Sequence, residues 1–214
     1  MSKPKEFWDK SADNYDRTEE RFEHIHQTSR KCAKRHLRES DVVLDYGCGT
    51  GTTACELASH VREIQGIDIA GRMIELSKEK ATVYGIGNVS FAQADIFDDG
   101  YSKGSFDVIL AFNMLHTVPD PQRVVRRAHE LLKPEGSFIS VTPCLRDKMS
   151  LIVSAQIQLV RLLCRLGIIP VPIRRLQSSD LDELVSGGDF QAAETQKIFS
   201  GASSYFIAAK KKAN

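Results

Sequence analysis

The sequence lacks an excess of charge of either sign. Its 214 residues include 29 Lys and Arg against 28 Asp and Glu, which gives a formal net charge of +1. Proteins that hold nucleic acids through their phosphates usually carry a basic field, so this balance disfavours a nucleic-acid partner. The hydrophobic fraction of 42% and the charged fraction of 27% are ordinary for a folded chain, and they exclude a disordered or fibrous one.

Closely spaced cysteine pairs are also absent. The five cysteines are an odd number and none forms a CxxC pair, which disfavours a disulfide framework and a zinc site. We expect reduced cysteines that serve as packing residues. No other metal site is predicted, because His24 and His26 are two positions apart and point to different faces of a helix.

No long uninterrupted apolar segment is present. The N-terminus lacks the apolar core of a signal peptide, and the most apolar stretch, residues 151–169, is interrupted by Gln156, Gln158, Arg161 and Arg165. A transmembrane helix is therefore not expected. These two absences predict a cytoplasmic protein.

Short apolar runs alternate with helical patterns through the middle of the chain. This alternation is typical of a parallel sheet with helices on both faces. The predicted strands lie near residues 42–44, 64–69, 89–94, 106–112 and 137–141, with helices near 52–58, 72–84 and 121–132. Residues 3–38 predict one or two helices broken near 11–16. Strands near 190–198 and 204–209 are too close for a parallel crossover and predict an antiparallel hairpin.

A glycine-rich turn follows the first predicted strand. Asp45 precedes Gly47, Gly49 and Gly51 in a D-x-G-x-G-x-G run, where the backbone can turn tightly and approach a ligand. The following helix would present free N–H groups to that ligand. A dinucleotide fingerprint needs glycine at position 52, which is Thr52, so an NAD-binding turn is disfavoured.

Acidic residues end the next two predicted strands. Asp68 ends the second strand, where a carboxylate can accept hydrogen bonds from both ribose hydroxyls of a nucleoside. Asp95 ends the third strand, and its carboxylate together with the N–H of Ile96 could read an adenine edge. Each acid alone could also be a helix cap or a turn residue. Together with the glycine turn they predict a nucleoside site.

These strand ends resemble those of class I S-adenosylmethionine-dependent methyltransferases. VVLDYGCGTG (42–51) resembles the family's first motif, GIDIAGRMI (66–74) its ribose-binding segment and AQADIFD (92–98) its adenine-contacting segment. Residues 106–143 are similar to the region from the fourth strand to the fifth. FWDKSADNYD (7–16) resembles the lead-in of the small-molecule branch, which includes the ubiquinone and menaquinone biosynthesis methyltransferases.

The resemblance implies a fold, a cofactor and a set of site residues. The fold is a doubly wound, Rossmann-like α/β sheet of seven strands in the order 3-2-1-4-5-7-6, mostly parallel with strand 7 antiparallel. The cofactor is S-adenosyl-L-methionine, with its methionine part over the glycine turn and its ribose on Asp68. The implied cofactor-binding residues are Tyr15, Asp45, Gly47, Cys48, Gly49, Gly51, Asp68, Ile69, Met73, Asp95, Ile96, Phe112 and Asn113.

The resemblance also indicates the chemistry. Methyl transfer is an in-line displacement that requires alignment of the acceptor and exclusion of water rather than a nucleophilic residue. Tyr15 could face the sulfonium cation, or it could simply pack the N-terminal helices. His116 follows the fourth strand and could act as a general base, although histidine is common at this position across the family's varied substrates, which favours a structural role.

Residues 149–166 predict a long amphipathic helix between the fifth strand and the hairpin. Its wide apolar face could form a lid over an apolar acceptor, a packing surface or a dimer face. It could also make a peripheral membrane contact through residues 149–175, with arginines near lipid phosphates. We therefore divide the single predicted domain into an N-terminal helical cover (1–40), a cofactor-binding core (41–142), a helical lid (143–189) and a closing hairpin (190–214).

The function predicted from these features is methyl transfer from S-adenosylmethionine to a small, partly apolar acceptor. Two alternatives stay open at this point. One is a non-catalytic module or partner subunit that binds the same ligand. The other is an NAD-dependent oxidoreductase, for which Thr52 is the main obstacle.

Overall fold

A computed structural model of the chain describes residues 3–147 and 149–212. Short helices form the N-terminal part, and seven strands with intervening helices follow. The helices are α1 (Lys3–Ser11), α2 (Tyr15–Glu19), α3 (Glu23–Lys34), α4 (Thr52–Leu57), α5 (Gly71–Val83), α6 (Pro121–Leu131), α7 (Leu151–Arg165) and α8 (Ser178–Ser186). The strands are β1 (Val42–Tyr46), β2 (Glu63–Asp68), β3 (Val89–Gln93), β4 (Phe106–Phe112), β5 (Leu132–Pro143), β6 (Phe190–Ser200) and β7 (Ala202–Lys211).

The seven strands form one sheet in the order β3-β2-β1-β4-β5-β7-β6. Strands β1 to β5 pair in parallel, whereas β7 is antiparallel to both β5 and β6. The predicted fold class and strand order are confirmed. The carboxyl ends of β1, β2, β3 and β4 therefore meet along one edge of the sheet, which is where ligands bind in open α/β folds.

Strand β1 lies inside the sheet between β2 and β4 and is buried on both faces. Its side chains alternate between two apolar layers, with Val42, Leu44 and Tyr46 in one and Val43 in the other. The first layer includes α6 and α8, and the second includes α3, α4 and α5. This alternation places Tyr46 and Asp45, the last two residues of β1, on opposite faces of the sheet.

One local expectation was wrong. Strand β5 begins earlier than residue 137, directly after α6. Leu132 pairs with Phe106 and Ser137 with Val108, so an irregularity in the register accommodates Pro134 and Gly136 within the strand.

The N-terminal cover is tied to the core through polar contacts with α5 and the glycine turn. The carboxylate of Asp9 accepts a hydrogen bond from the N–H of Arg72 at 2.9 Å, at the start of α5. Asp16 accepts from Thr50 Oγ1 at 2.5 Å and from Lys80 Nζ at 2.8 Å. These contacts hold the segment that contains Trp8 and Tyr15 over the carboxyl ends of the strands.

Candidate active site

The glycine turn between β1 and α4 is fixed by backbone hydrogen bonds. The N–H groups of Gly47 and Cys48 both donate to the carbonyl of Ile67, at 2.8 and 3.0 Å. Gly47 and Gly49 have φ values of +73° and +54°, which favour glycine because other residues are strained there. The turn thus lies against the end of β2, close to Asp68.

Asp68 connects the glycine turn to α5. One carboxylate oxygen accepts from the N–H of Gly49 at 3.1 Å, and the other accepts from the N–H of Ala70 at 2.9 Å. Burial raises the pKa of this carboxyl group above its usual value. Each oxygen retains a second lone pair, so the carboxylate can hold the turn and still accept ligand hydroxyls.

Two cavities open on either side of the glycine turn. The first, of about 460 Å³, is lined by residues at or just after three strand ends, including Tyr46, Asp68, Ile69, Met73 and Asp95. The second, of about 550 Å³, contains Asp45, Cys48 and Thr50 together with charged residues of α2 and α3. The residues that line both cavities are Tyr15, Gly47, Gly49, Phe112 and Asn113.

Asp45 is the most unusual group of the second cavity. It is only 2% exposed, and its Oδ2 has no hydrogen-bond partner within the described chain. Burial, with a smaller contribution from the nearby Asp68, raises its pKa to about 7. A buried carboxylate oxygen without a donor is costly in a folded protein, so its presence beside a cavity is consistent with a cationic or hydrogen-bonding ligand.

Tyr15 lies over the glycine turn and is held by the N-terminal cover. A Cβ atom placed on Gly49 would be 3.6 Å from the Tyr15 ring, and the Trp8 ring packs edge-on against Tyr15 at 6.4 Å between centroids. Burial raises the pKa of the Tyr15 hydroxyl, so the side chain is neutral. The predicted position of Tyr15 at the cavity is thus found in the structure.

Three predicted cofactor residues line the cavities less directly or not at all. Ile96 is fully buried in the core, so only its backbone could contact a ligand. Cys48 lines the second cavity, but its sulfur also packs close to Gly66. Gly51 lines neither cavity. A Cβ atom there would lie 2.7 Å from Phe91 Cζ and 2.8 Å from Ser77 Cβ, so this glycine is required for packing of α4 against α5 and β3.

Gly51→Ala is expected to destabilise the fold more than Gly85→Ala. Both glycines have positive φ, +77° and +64°, so both variants incur roughly 1–2 kcal/mol of backbone strain. Only Gly51 adds overpacking, of about 1–3 kcal/mol, because a Cβ at Gly85 meets nothing within 4 Å. Urea unfolding of the two variants measures the difference. Equal losses of stability would contradict a packing role for Gly51.

The two histidines near the cavities have different surroundings. His116 lines neither cavity, its Nδ1 has no partner in the described chain, and burial lowers its pKa to about 4. His26 lines the second cavity. Its Nε2 is 3.1 Å from a carboxylate oxygen of Glu19, and its Nδ1 is 3.4 Å from Nδ2 of Asn113. His26 therefore has a carboxylate partner on one side and the tip of β4 on the other.

Sequence reasoning missed several lining residues. Those of the first cavity include Trp8, Phe97, Met114, Val118, Arg123 and Pro172, and those of the second include Glu19, Glu23, His26, Arg30 and Lys80. Most come from helices and loops whose position depends on tertiary packing. Among the described residues no cluster of His, Cys, Asp and Glu could hold a metal ion.

Comparison with known proteins identifies the family. A sequence model described as "Methyltransferase domain" matches residues 37–189, which is more than half of the chain. The chain belongs to this methyltransferase family. Family membership confirms the prediction of a class I S-adenosylmethionine-dependent methyltransferase. S-adenosyl-L-methionine is the family's cofactor.

Individual relatives match only part of this chain, and the chain spans only part of their length. The chain is 34% identical over 111 residues to 27-O-demethylrifamycin SV methyltransferase of Amycolatopsis mediterranei, covering 51% of this chain and 41% of that protein. It is 29% identical over 157 residues to a ubiquinone biosynthesis O-methyltransferase of Neisseria meningitidis, covering 70% and 63%. It thus spans less than two thirds of both relatives. The crystal structure of YcgJ from Bacillus subtilis shares the fold, with a TM-score of 0.71, 20% identity and coverage of 88% and 100%.

Proposed function

We propose that the chain transfers a methyl group from S-adenosylmethionine to a small, partly apolar acceptor. The observation that carries this proposal is the hydrogen bond from the N–H of Gly49 to Asp68. It joins a carboxylate that could accept ribose hydroxyls to the glycine turn, and both line one cavity. Family membership supports the reaction, and the geometry supports the residues.

The first cavity suits the nucleoside. Asp68 offers carboxylate lone pairs to the ribose hydroxyls, while Ile69 and Met73 provide an apolar surface for the adenine ring. Asp95 lies across the same cavity, although one of its oxygens already accepts from the N–H of Phe97 at 3.1 Å. The adenine contact proposed for Asp95 and Ile96 would therefore use the remaining carboxylate oxygen and the backbone.

The second cavity suits the methionine part. Gly49 leaves space for a ligand against the backbone, because a Cβ atom there would meet only the Tyr15 ring, at 3.6 Å. A positively charged amino group would meet the unpartnered oxygen of Asp45. Such an ion pair would compensate the cost of burying this carboxylate. The residues present therefore fit S-adenosylmethionine on both sides of the turn.

Transfer would occur where the two cavities meet. When bound, the cofactor supplies a methyl group that is activated by its sulfonium. Phe112 and Asn113 line both cavities from the end of β4, and Tyr15 of the N-terminal cover also lines both. These side chains would align the acceptor and exclude water, and the neutral Tyr15 ring would present its face to positive charge.

An acceptor hydroxyl would need to lose a proton, and His26 is better placed to take it than His116. With Nε2–H donating to Glu19, the lone pair of His26 lies on Nδ1, where it accepts a long hydrogen bond of 3.4 Å from Nδ2 of Asn113 that an acceptor hydroxyl would replace. The carboxylate would also stabilise the imidazolium that forms. His116 stays a weaker candidate, because it lines neither cavity.

The acceptor proposed is a small molecule with an apolar portion. The wall of the first cavity beyond the nucleoside residues contains Trp8, Met114, Val118 and Pro172, which suit an apolar body. Pro172 belongs to the predicted lid, and its contact with the cavity supports that role for the segment around it. One relative is named as an O-methyltransferase and another for a 27-O-demethyl substrate, so hydroxyl acceptors are the first to test.

Isothermal titration of the purified chain with S-adenosylmethionine and with NAD tests the proposal. We expect binding of S-adenosylmethionine and none of NAD, followed by formation of S-adenosylhomocysteine when phenolic and aliphatic hydroxyl compounds are added. Binding without product across the acceptor panel would favour a non-catalytic module. NAD binding with no response to S-adenosylmethionine would overturn the proposal.

The same titration on Asp68→Ala and Asp68→Asn examines the residue that carries the argument. We expect Asp68→Ala to lose about 1–3 kcal/mol of binding free energy, from unmade hydrogen bonds to a charged acceptor. Asp68→Asn retains the side-chain shape and one acceptor oxygen, and it should lose less. Unchanged affinity in both variants would remove Asp68 from the site. Thermal unfolding of each variant separates loss of binding from loss of the hydrogen bonds to Gly49 and Ala70.

A further inference from the structure

Helix α7 turns a row of apolar side chains toward solvent. Leu151, Ala155, Leu159, Leu162 and Leu166 recur at the spacing that places residues on one side of a helix, and all of them are exposed. Leu151 is 89% and Leu166 is 64% exposed. An ordinary surface helix directs this row to the core and its polar row to water.

No described part of the chain covers this face. None of the residues of α7 is buried, and the half of the helix that is less exposed, including Val153 and Ile157, faces the rest of the molecule. The exposed apolar surface extends beyond the helix, to Ile168 after it and to Phe199 near the turn of the hairpin. Met149 pairs with Ala202, which brings the start of α7 beside that turn.

The charges of this region are all of one sign. Residues 149–179 contain Arg161, Arg165, Arg174 and Arg175 and no Asp or Glu. The acids at the borders of the segment are already paired, Asp147 with Lys197 at 3.3 Å and Asp180 with Arg146 at 3.4 Å. A local excess of positive charge therefore flanks an apolar face, although the whole chain carries only +1.

We propose that the outward face of α7 binds the surface of a membrane that contains anionic lipids. The leucine row would enter the boundary between headgroups and acyl chains, and Arg161 and Arg165 would lie near lipid phosphates. A second copy of the chain is a poorer occupant, because it would bring two arginine clusters together without a carboxylate between them. Within the described residues no helix is long and apolar enough to cross a membrane, so the contact is peripheral.

Flotation with lipid vesicles tests this proposal. The wild-type chain is expected to float with vesicles that contain phosphatidylglycerol and to bind pure phosphatidylcholine vesicles much more weakly. Leu159→Glu/Leu162→Glu should lower binding by at least about tenfold, because two apolar side chains are replaced by charges of the same sign as the lipid. Arg165→Gln should lower binding to the anionic vesicles by about fivefold.

Matched variants elsewhere on the surface control for general changes of charge. Val83→Glu/Tyr84→Glu replaces two exposed apolar side chains at the end of α5, and Arg126→Gln removes an exposed arginine on α6. Neither should change flotation. Absence of vesicle binding by the wild-type chain, with or without a dimer in sedimentation, overturns the proposal, as does binding that survives Leu159→Glu/Leu162→Glu. The measurement needs no methyl transfer, so it is independent of the proposed function.

Discussion

His26→Gln is expected to slow methyl transfer by about 10²–10⁴-fold while leaving the affinity for S-adenosylmethionine unchanged. The imidazole lies between Glu19 and Asn113, at 3.1 and 3.4 Å, and lines the second cavity. Glutamine can still hydrogen bond to Glu19, but it cannot accept a proton from an acceptor hydroxyl. The measurement is the rate of S-adenosylhomocysteine formation at saturating cofactor, with affinity taken from calorimetry.

His116→Gln provides the matched control for this prediction. The pKa of His116 is lowered to about 4 by burial, and the side chain lines neither cavity, so its replacement should change the rate little. A slow His116→Gln enzyme with a normal His26→Gln enzyme would reverse the assignment in favour of His116. Glu19→Gln gives a further readout, because loss of the carboxylate that orients the ring should slow transfer less than loss of the ring itself.

The sheet could be predicted because its signals are local. Strands β1, β4 and β5 contain short apolar runs, and the close spacing of β6 and β7 allows only an antiparallel hairpin. The order of the strands came from resemblance to a family rather than from the pattern of residues. The early start of β5 could not be predicted, since Pro134 and Gly136 normally end a helix, and only pairing with β4 draws them into a strand.

The site also contains residues that could be predicted from the sequence and residues that could not. Asp68 and Asp95 were predicted because the ends of parallel strands meet at one edge, which topology alone guarantees, whereas Asp45 was implied by resemblance to the family's first motif. His26 and Glu19 belong to separate N-terminal helices, and their approach to Asn113 depends on how those helices pack on the core. Gly51 shows the opposite case, in which a residue of a recognised motif contributes to packing rather than to the cavity wall.

The position of Asp45 in β1 explains why the glycine turn serves two cavities. Side chains alternate along the strand, so Tyr46 faces the first cavity and Asp45 the second. The turn that follows lies at the edge of the sheet and is accessible from both sides. A ligand that extends from nucleoside to amino acid can therefore pass over one short backbone segment, with a carboxylate near each end.

Asp45→Asn is expected to remove a pH dependence from the stability of the ligand-free protein. The folded pKa of Asp45, about 7, is raised above the unfolded value by burial. Below about pH 4 Asp45 is protonated in both the folded and the unfolded state, and its burial then carries no charge penalty. As the pH rises to 7 the unfolded chain releases this proton before the folded chain does, so the free energy of unfolding falls. Over this interval the wild-type chain should lose on the order of 2–4 kcal/mol relative to the variant.

The free energy of unfolding, measured in urea at several pH values between 4 and 8, gives the two curves. The difference between the two curves isolates Asp45, because all other titrating groups are shared. The test is how steeply the free energy of unfolding falls with pH, not its absolute value. Parallel curves would mean that Asp45 is ionised in the folded chain without penalty. Added S-adenosylmethionine should reduce the difference at neutral pH, since a cationic amino group beside Asp45 lowers its pKa and stabilises the ionised form.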